Sequence, residues 1–243
     1  MLVENSAILR AVRSIGQARV AVAHPGVDTT AFSPSPIGWH RDGYLLSVCR
    51  LGDPRKGLER MILAYGDLVR FRSSAPRLVL AGRGDLPRSV QRLIVEQGLN
   101  HRVLVRPNVS TEQLVDLYRG ASVFLQTSYE EGLGLSVLEA MACGLPVVAT
   151  ATHGAEECID QGLTGWLVQH ASPEALRRLL VARVLDVLDQ TGQEMGARGR
   201  ERCVALFSTD VALHRFTDTY RAMLVGRSPR RATERASHGI DAP

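Results

Sequence analysis

Short apolar, β-branched runs alternate with segments of helical period along most of this chain, and few folds accommodate that alternation. The apolar runs fall at residues 19–23, 44–48, 77–81, 102–105, 122–126, 146–150 and 165–168. Most are continuous, as expected for strands covered on both faces. Helical patterns lie between them at 58–70, 88–96, 111–118, 135–142 and 156–159, with longer ones at 173–189 and 209–224. Such alternation implies right-handed βαβ units, hence an α/β fold with a doubly wound, Rossmann-like parallel sheet. Ligands of these sheets bind at the carboxyl ends of the strands. Helix punctuation agrees. Ser110-Thr111-Glu112-Gln113 reads as a capping box, and Ser172-Pro173 as an N-cap followed by proline at the first helical position. Gly144 followed by Pro146 ends the helix that carries Glu139.

Composition removes several function classes. With 243 residues, 45% of them hydrophobic and 22% charged, the chain resembles an ordinary soluble domain. No apolar run reaches 18 residues, so no transmembrane helix is predicted, and the amino terminus lacks the pattern of a secretory signal. The four cysteines are scattered and form no metal-ligand or disulfide spacing, which points to a reducing cytoplasm. Net charge is +4, but Arg227, Arg230, Arg231 and Arg235 carry much of the excess in an aperiodic tail at 226–243, read as disordered. Aromatics are only 5%, so a nucleic-acid partner is not expected. Of the 29 basic residues only Lys56 is a lysine. Against that arginine background, a compact ammonium draws notice as a phosphate ligand.

The strongest chemical signal is Glu131-Gly132-Leu133-Gly134-Leu135-Ser136-Val137-Leu138-Glu139, placed between a strand and a helix. Two isolated glutamates read as solvated surface residues; this glycine-flanked setting reverses that reading. Glycines let backbone turn tightly beside a ligand. The helix start offers unpaired N–H groups suited to a phosphate or a polarised sugar oxygen. Glu131 in the loop and Glu139 one turn into the helix face one cleft, and carboxylates accept hydrogen bonds from hydroxyl-rich groups. A dehydrogenase fingerprint is absent, because Gly82-Arg83-Gly84 is followed by Asp85-Leu86-Pro87.

This stretch resembles the EX7E motif of family-4-type retaining glycosyltransferases of the GT-B fold. The run from Glu139 through Cys143-Gly144-Leu145-Pro146 to Thr150 resembles that family's EAMACGxPVVAT segment. His153-Gly154-Ala155-Glu156-Glu157 and Asp160-Gln161-Gly162-Leu163-Thr164-Gly165 resemble its GGxxE and DGxTG region, with His153 in a glycine slot and Gln161 as an extra residue. Pro25-Gly26-Val27-Asp28 with Phe32 resembles NGVDxxxF. Cys49-Arg50-Leu51 with Arg55-Lys56-Gly57 resembles GRL…KG, with Cys49 in place of glycine. Ala81-Gly82-Arg83-Gly84 resembles AGxGP. The likeness extends over roughly residues 20–224.

The resemblance implies the carboxyl-terminal, donor-binding half of a GT-B fold, and it assigns roles. Arg50 and Lys56 hold the diphosphate and stabilise the charge it acquires as the sugar leaves. Glu131 binds donor-sugar hydroxyls, Glu139 binds the ribose, and the backbone around Gly132, Gly134 and Leu135 faces sugar or phosphate. The base falls near residues 105–108. No Asp-x-Asp occurs, which fits a metal-independent enzyme without a cofactor. Residues 1–17 read as the remnant of a preceding acceptor domain and 18–225 as the nucleotide-sugar-binding domain. The expected ligands are a nucleotide sugar and a sugar, lipid or small-molecule acceptor, with a separate acceptor-domain chain as a possible partner. A lipid acceptor or such a partner would bring the chain to the inner membrane face. A non-catalytic nucleotide-sugar-binding module and an inactive truncated transferase are the alternatives. His153, near the motif, is the histidine singled out for a functional role, and the 209–224 helix is expected to expose Val211, Leu213, Phe216, Tyr220 and Met223 in part.

Overall fold

A computed structural model describes residues 1–17, 20–169 and 172–224. The tail expected at 226–243 lies outside the described residues. At the amino terminus, β1 (Leu2–Val3) and β2 (Ala21–Val22) pair in parallel, with α1 (Ser6–Ser14) between them in sequence. Asn5 starts α1 by accepting from Ile8 N–H at 2.8 Å.

The main sheet comprises β3 (Tyr44–Val48), β4 (Leu78–Gly82), β5 (Val103–Pro107), β6 (Ala121–Gln126), β7 (Val147–Thr150) and β8 (Gly165–Val168). All its pairings are parallel, in the spatial order β5-β4-β3-β6-β7-β8. These are the expected strands with ends shifted by at most two residues. Alternate side chains feed two cores, as the two-residue strand period requires. Leu45, Leu80, Val123 and Leu125 pack on one face, with Met61, Ile62 and Tyr65 of α2 (Leu58–Phe71). Leu46, Val79 and Phe124 pack on the other. That second core takes Leu138 and Met141 from α5 (Leu135–Ala142). Both faces are therefore covered, which is why the strands read as continuous apolar runs. Burying each such side chain contributes about 1.5–3 kcal/mol.

The connecting helices α3 (Arg88–Glu96) and α4 (Thr111–Arg119) stand where expected, and Ser110 and Gln113 complete the capping box. α6 (His153–Cys158) begins earlier than the sequence pattern suggests, because Thr152 accepts from Ala155 N–H and caps it. α7 (Pro173–Asp186) carries the expected Ser172 cap. It passes through a π-helical segment, Val187–Thr191, into α8 (Gly192–Phe207). The sequence pattern does not announce α8. Gly192, Gly196 and Gly199 lower its helix propensity, and the first two mark close approaches. A Cβ on Gly192 would lie 2.4 Å from the Trp39 ring, and one on Gly196 would lie 2.1 Å from the Gly144 carbonyl oxygen. The glycines let α8 press against α5. α9 (Thr209–Leu224) follows, with Leu213, Phe216, Tyr220 and Leu224 exposed and Val211 and Met223 half-buried. No helix among the described residues is long and apolar enough to cross a membrane.

Gly196→Ala separates the two effects. Helix propensity alone favours alanine by about 1 kcal/mol. The contact with Gly144 predicts the opposite sign, a loss of about 1–3 kcal/mol in urea unfolding, as overpacking costs. A stabilised variant would remove the close-approach account of α8.

Candidate functional site

In the order β5-β4-β3-β6-β7-β8 the chain leaves β3 toward β4 and β6 toward β7, in opposite directions. The loops beyond their carboxyl ends diverge, and a crevice opens there. The β3 exit carries Arg50 and then a 3-10 turn, Pro54–Lys56, capped by Asp53, which accepts from Arg55 N–H at 3.0 Å. Gly57 ends the turn in the left-handed region, at φ 63°. A Cβ there would sit 2.2 Å from the Thr127 carbonyl oxygen, so only glycine fits. The β6 exit zips onto this turn. Tyr129 N–H donates to the Arg55 carbonyl at 2.7 Å, and the Thr127 hydroxyl donates to the Gly57 carbonyl at 3.0 Å.

The zipper brings Lys56 to Glu131. Lys56 Nζ lies 2.7 Å from Glu131 Oε1, and the two side chains are 13% and 11% exposed. Ser128 Oγ donates to the same oxygen at 2.6 Å. Arg50 differs from Lys56: its guanidinium is 64% exposed and lies 3.0 Å from Asp53. Hydrogen bonds from Arg55 hold the Asp53 carboxyl well below its ordinary range, at about 2.

Gly134, at φ 84°, starts α5 with no side-chain cap. Glu139 is half-buried one turn further on, and Tyr118, wholly buried, donates its hydroxyl to Glu139 Oε2 at 2.7 Å. Burial raises the Glu139 pKa above 4.5, partly opposed by the Tyr118 hydrogen bond. Cys49, in the glycine slot of the Cys49-Arg50-Leu51 motif, also faces the crevice. Burial pushes its thiol up to about 12, so it stays protonated and unreactive near neutrality.

All seven residues expected at the site, Arg50, Lys56, Glu131, Gly132, Gly134, Leu135 and Glu139, line one cavity of about 600 Å³. Sequence reasoning missed several others. Glu4 and Pro25 reach the cavity from the exits of β1 and β2, and Ser136 from α5, while Gly82 and Arg83 of the motif at 81–84 line it as well. Where the sequence suggested 105–108, the wall is Val109, Thr111 and Leu114. Asn108 instead ties two loops together, with its side-chain oxygen accepting from Gly84 N–H at 3.0 Å. Asn5 reaches the motif loop, its side-chain amide donating to the Gly132 carbonyl at 2.6 Å. His153 does not line the cavity; it is 69% exposed, 3.7 Å from Glu156 on its own helix. Its neighbour Gly154 has the closer contact, since a Cβ there would lie 2.7 Å from the backbone at Gly132. Among the described residues no group of three or more His, Cys, Asp or Glu side chains comes together as a metal site would require.

The fold and this cavity define a Rossmann-like domain with cationic and carboxylate side chains gathered at its strand ends. Residues 34–202 match the family described as "Glycosyl transferases group 1", and the chain belongs to that family. A D-inositol 3-phosphate glycosyltransferase from Streptomyces griseus is 33% identical over 251 aligned positions, 91% of this chain and 52% of that protein. The chain thus spans about half the length of this relative. Among solved structures, sucrose-phosphate synthase from Thermosynechococcus elongatus superposes with a TM-score of 0.79 at 25% identity, over 93% of this chain and 58% of the other. Anabaena HepE in complex with UDP-glucose gives 0.74 at 19% identity, over 91% and 63%. These likenesses agree with the expected half of a GT-B fold.

The raised pKa of Glu139 carries a stability consequence. Folding favours its protonated form, so this contribution is full below its ordinary value of 4.5 and is lost as pH rises through the higher folded value. Glu139→Gln keeps an acceptor for Tyr118 and has no charge to desolvate. In urea unfolding between about pH 4 and pH 8 the variant should gain on the wild type as pH rises, with the gap largest once Glu139 is ionised. Parallel stability profiles would show that the carboxylate is no burden to the fold.

Proposed function

We propose that this chain binds a nucleotide-diphosphate sugar and forms the donor-binding half of a retaining, metal-independent glycosyltransferase. One observation carries the reading: Lys56, Glu131, Glu139 and the uncapped start of α5 all open into a single cavity at the strand-order reversal. Lys56 and the more exposed Arg50 hold the diphosphate. The first turn of α5, at Gly134 and Leu135, supplies backbone N–H groups to sugar or phosphate oxygens. Glu131 accepts from the donor sugar's hydroxyls. Glu139, with one oxygen held by Tyr118, offers the other to the ribose.

In the transfer, the bond between the sugar's anomeric carbon and the diphosphate oxygen breaks, and that oxygen keeps the electron pair. The acceptor oxygen bonds to the anomeric carbon and passes its proton to the departing diphosphate. The charge developing on the diphosphate is met by Lys56 and Arg50, pre-positioned cations that do the work a divalent ion does in Asp-x-Asp enzymes. Glu131, bonded to Lys56 and Ser128, suits hydroxyl binding rather than nucleophilic attack. Retention rests on the family resemblance. Because the chain spans about half of its relative, acceptor recognition is assigned to the remainder of a whole enzyme. Four free thiols suit a reducing cytoplasm.

UDP-glucose in HepE makes uridine the first base to test. Calorimetric titration with UDP, GDP, ADP and their sugar conjugates should show saturable binding of one base class. Lys56→Ala and Glu139→Ala should each weaken it about tenfold or more, the scale of a lost charge-assisted hydrogen bond. A folded chain that binds none of them would overturn the proposal.

A further inference from the structure

On α2, one turn beyond Lys56, stands Arg60, which no motif in the sequence singles out. Its guanidinium has no carboxylate partner within ion-pair distance among the described residues. Instead Nε donates to the Thr127 carbonyl at 2.6 Å and Nη2 to the Ser128 carbonyl at 2.5 Å, with a longer contact of 3.4 Å to Thr150 Oγ1. The guanidinium carbon lies 3.8 Å from the centre of the Tyr129 ring. Thr150 Oγ1 donates to the Ser128 carbonyl at 2.6 Å from the end of β7. Burial draws the Arg60 pKa below its ordinary range.

A half-buried cation without a counter-ion is a poor packing residue. Its helix neighbours Leu58, Met61 and Ile62 fill the core with apolar groups. What Arg60 touches explains its presence: three consecutive residues, 127–129, just before the motif loop. The chain of contacts then runs to the site. Arg60 fixes the Ser128 backbone, the Ser128 hydroxyl donates to Glu131 Oε1, and that oxygen also meets the Lys56 ammonium. Arg60 and Lys56 flank the start of one helix, so the guanidinium spans the two loops at a fixed offset from the lysine.

We infer that Arg60 is a positioning residue that holds the Ser128–Glu131 loop in register with Lys56 by bridging two successive main-chain carbonyls and stacking on Tyr129. The planar fork is the required feature. A lysine at this position keeps the charge but cannot bridge both carbonyls and stack on the ring together. The consequence for catalysis rests on the donor-site reading; the geometric claim does not.

Lys56 provides the test because it is the only lysine in the chain. Its acylation by a dilute N-hydroxysuccinimide ester, followed by peptide mass spectrometry, reports one side chain, separately from the amino terminus. In the wild type, Lys56 is nearly buried and ion-paired, and should react slowly. Arg60→Met should raise the rate about tenfold in protein that is still folded by circular dichroism, as hydrogen bonds from a charged group are lost. In Arg60→Lys, with the new lysine told apart from Lys56 by fragment-ion assignment, Lys56 labelling should stay near the Met variant. Tyr129→Leu, at an exposed position expected to leave folding intact, should give a smaller rise. Glu131→Gln sets the upper limit.

Wild-type labelling in Arg60→Met would overturn the inference, as would full protection in Arg60→Lys. If folding fails in both Arg60 variants, an unchanged rate in Tyr129→Leu overturns it. UDP-glucose titration of the same proteins separates the two claims. Faster labelling with no wild-type binding removes the donor site and leaves the positioning role. Wild-type binding with unchanged labelling in the variants does the reverse.

Discussion

The reversal of strand order between β3 and β6 is the constraint on which this molecule's chemistry depends. Neighbouring parallel strands whose connections depart in opposite directions cannot close the space beyond their carboxyl ends. The residues singled out for a ligand come from the two loops bordering that space and the helix that follows the second, while Glu4, Pro25, Arg83 and the start of α4 complete the wall. The β3 exit supplies Arg50 and Lys56; the β6 exit supplies Glu131 and the start of α5. The loops are not independent. Gly57, with no side chain, lets the Thr127 carbonyl come close, and Tyr129 N–H bonds the Arg55 carbonyl. Sheet topology opens the crevice, and a few backbone contacts set its width.

Charge is stored in that crevice before any ligand arrives. Removing a lysine and a glutamate from water is expensive, and their attraction offsets the cost only with good geometry and further hydrogen bonds. The pair at 2.7 Å has both, since Ser128 adds a bond to the shared carboxylate oxygen. On the proposed reading, an arriving diphosphate would compete with Glu131 for Lys56, and Glu131 would keep the Ser128 hydroxyl while the ligand's own hydroxyls replaced the ammonium. Both partners already line the same cavity, as pre-organised electrostatic sites require.

The sheet was legible because buried parallel strands leave continuous apolar runs, and the caps at Ser110 and Ser172 because their side chains meet backbone at fixed offsets. The motif residues were legible because glycines with flanking carboxylates leave a pattern along the chain. α8 was not, since Gly192 and Gly196 answer to neighbours distant in sequence, Trp39 and Gly144, rather than to helix propensity. Asn5, Tyr118 and Arg60 were missed for a related reason. Each acts on the site through a partner, at Gly132, Glu139 and Ser128 respectively, that lies 127, 21 and 68 residues away in the chain. No local spacing records such a contact. His153 shows the converse error: closeness to a motif in sequence placed it at the site, whereas the start of α6 directs it to solvent and sets Gly154 against the loop.

The open start of α5 supports a ligand at this end of the sheet. α1, α4, α6 and α7 are capped by Asn5, Ser110, Thr152 and Ser172, whose side chains satisfy first-turn N–H groups. α2 and α5 begin instead at left-handed glycines, Gly57 and Gly134, and α3 at Pro87, all three without a side-chain cap, and of these only α5 lines the cavity. A cap typically contributes about 1 kcal/mol, so its omission is a local cost. At α5 the omission leaves donors and the positive end of the helix facing the cavity, where a phosphate or sugar oxygen can replace the cap. The buried Glu139 carboxyl on α5 and the guanidinium of Arg60 on α2, which has no counter-ion among the described residues, are costs of the same kind, at the starts of the helices that follow the two loops. Departures from local stability rules that gather at one cleft are what a binding site leaves in a fold.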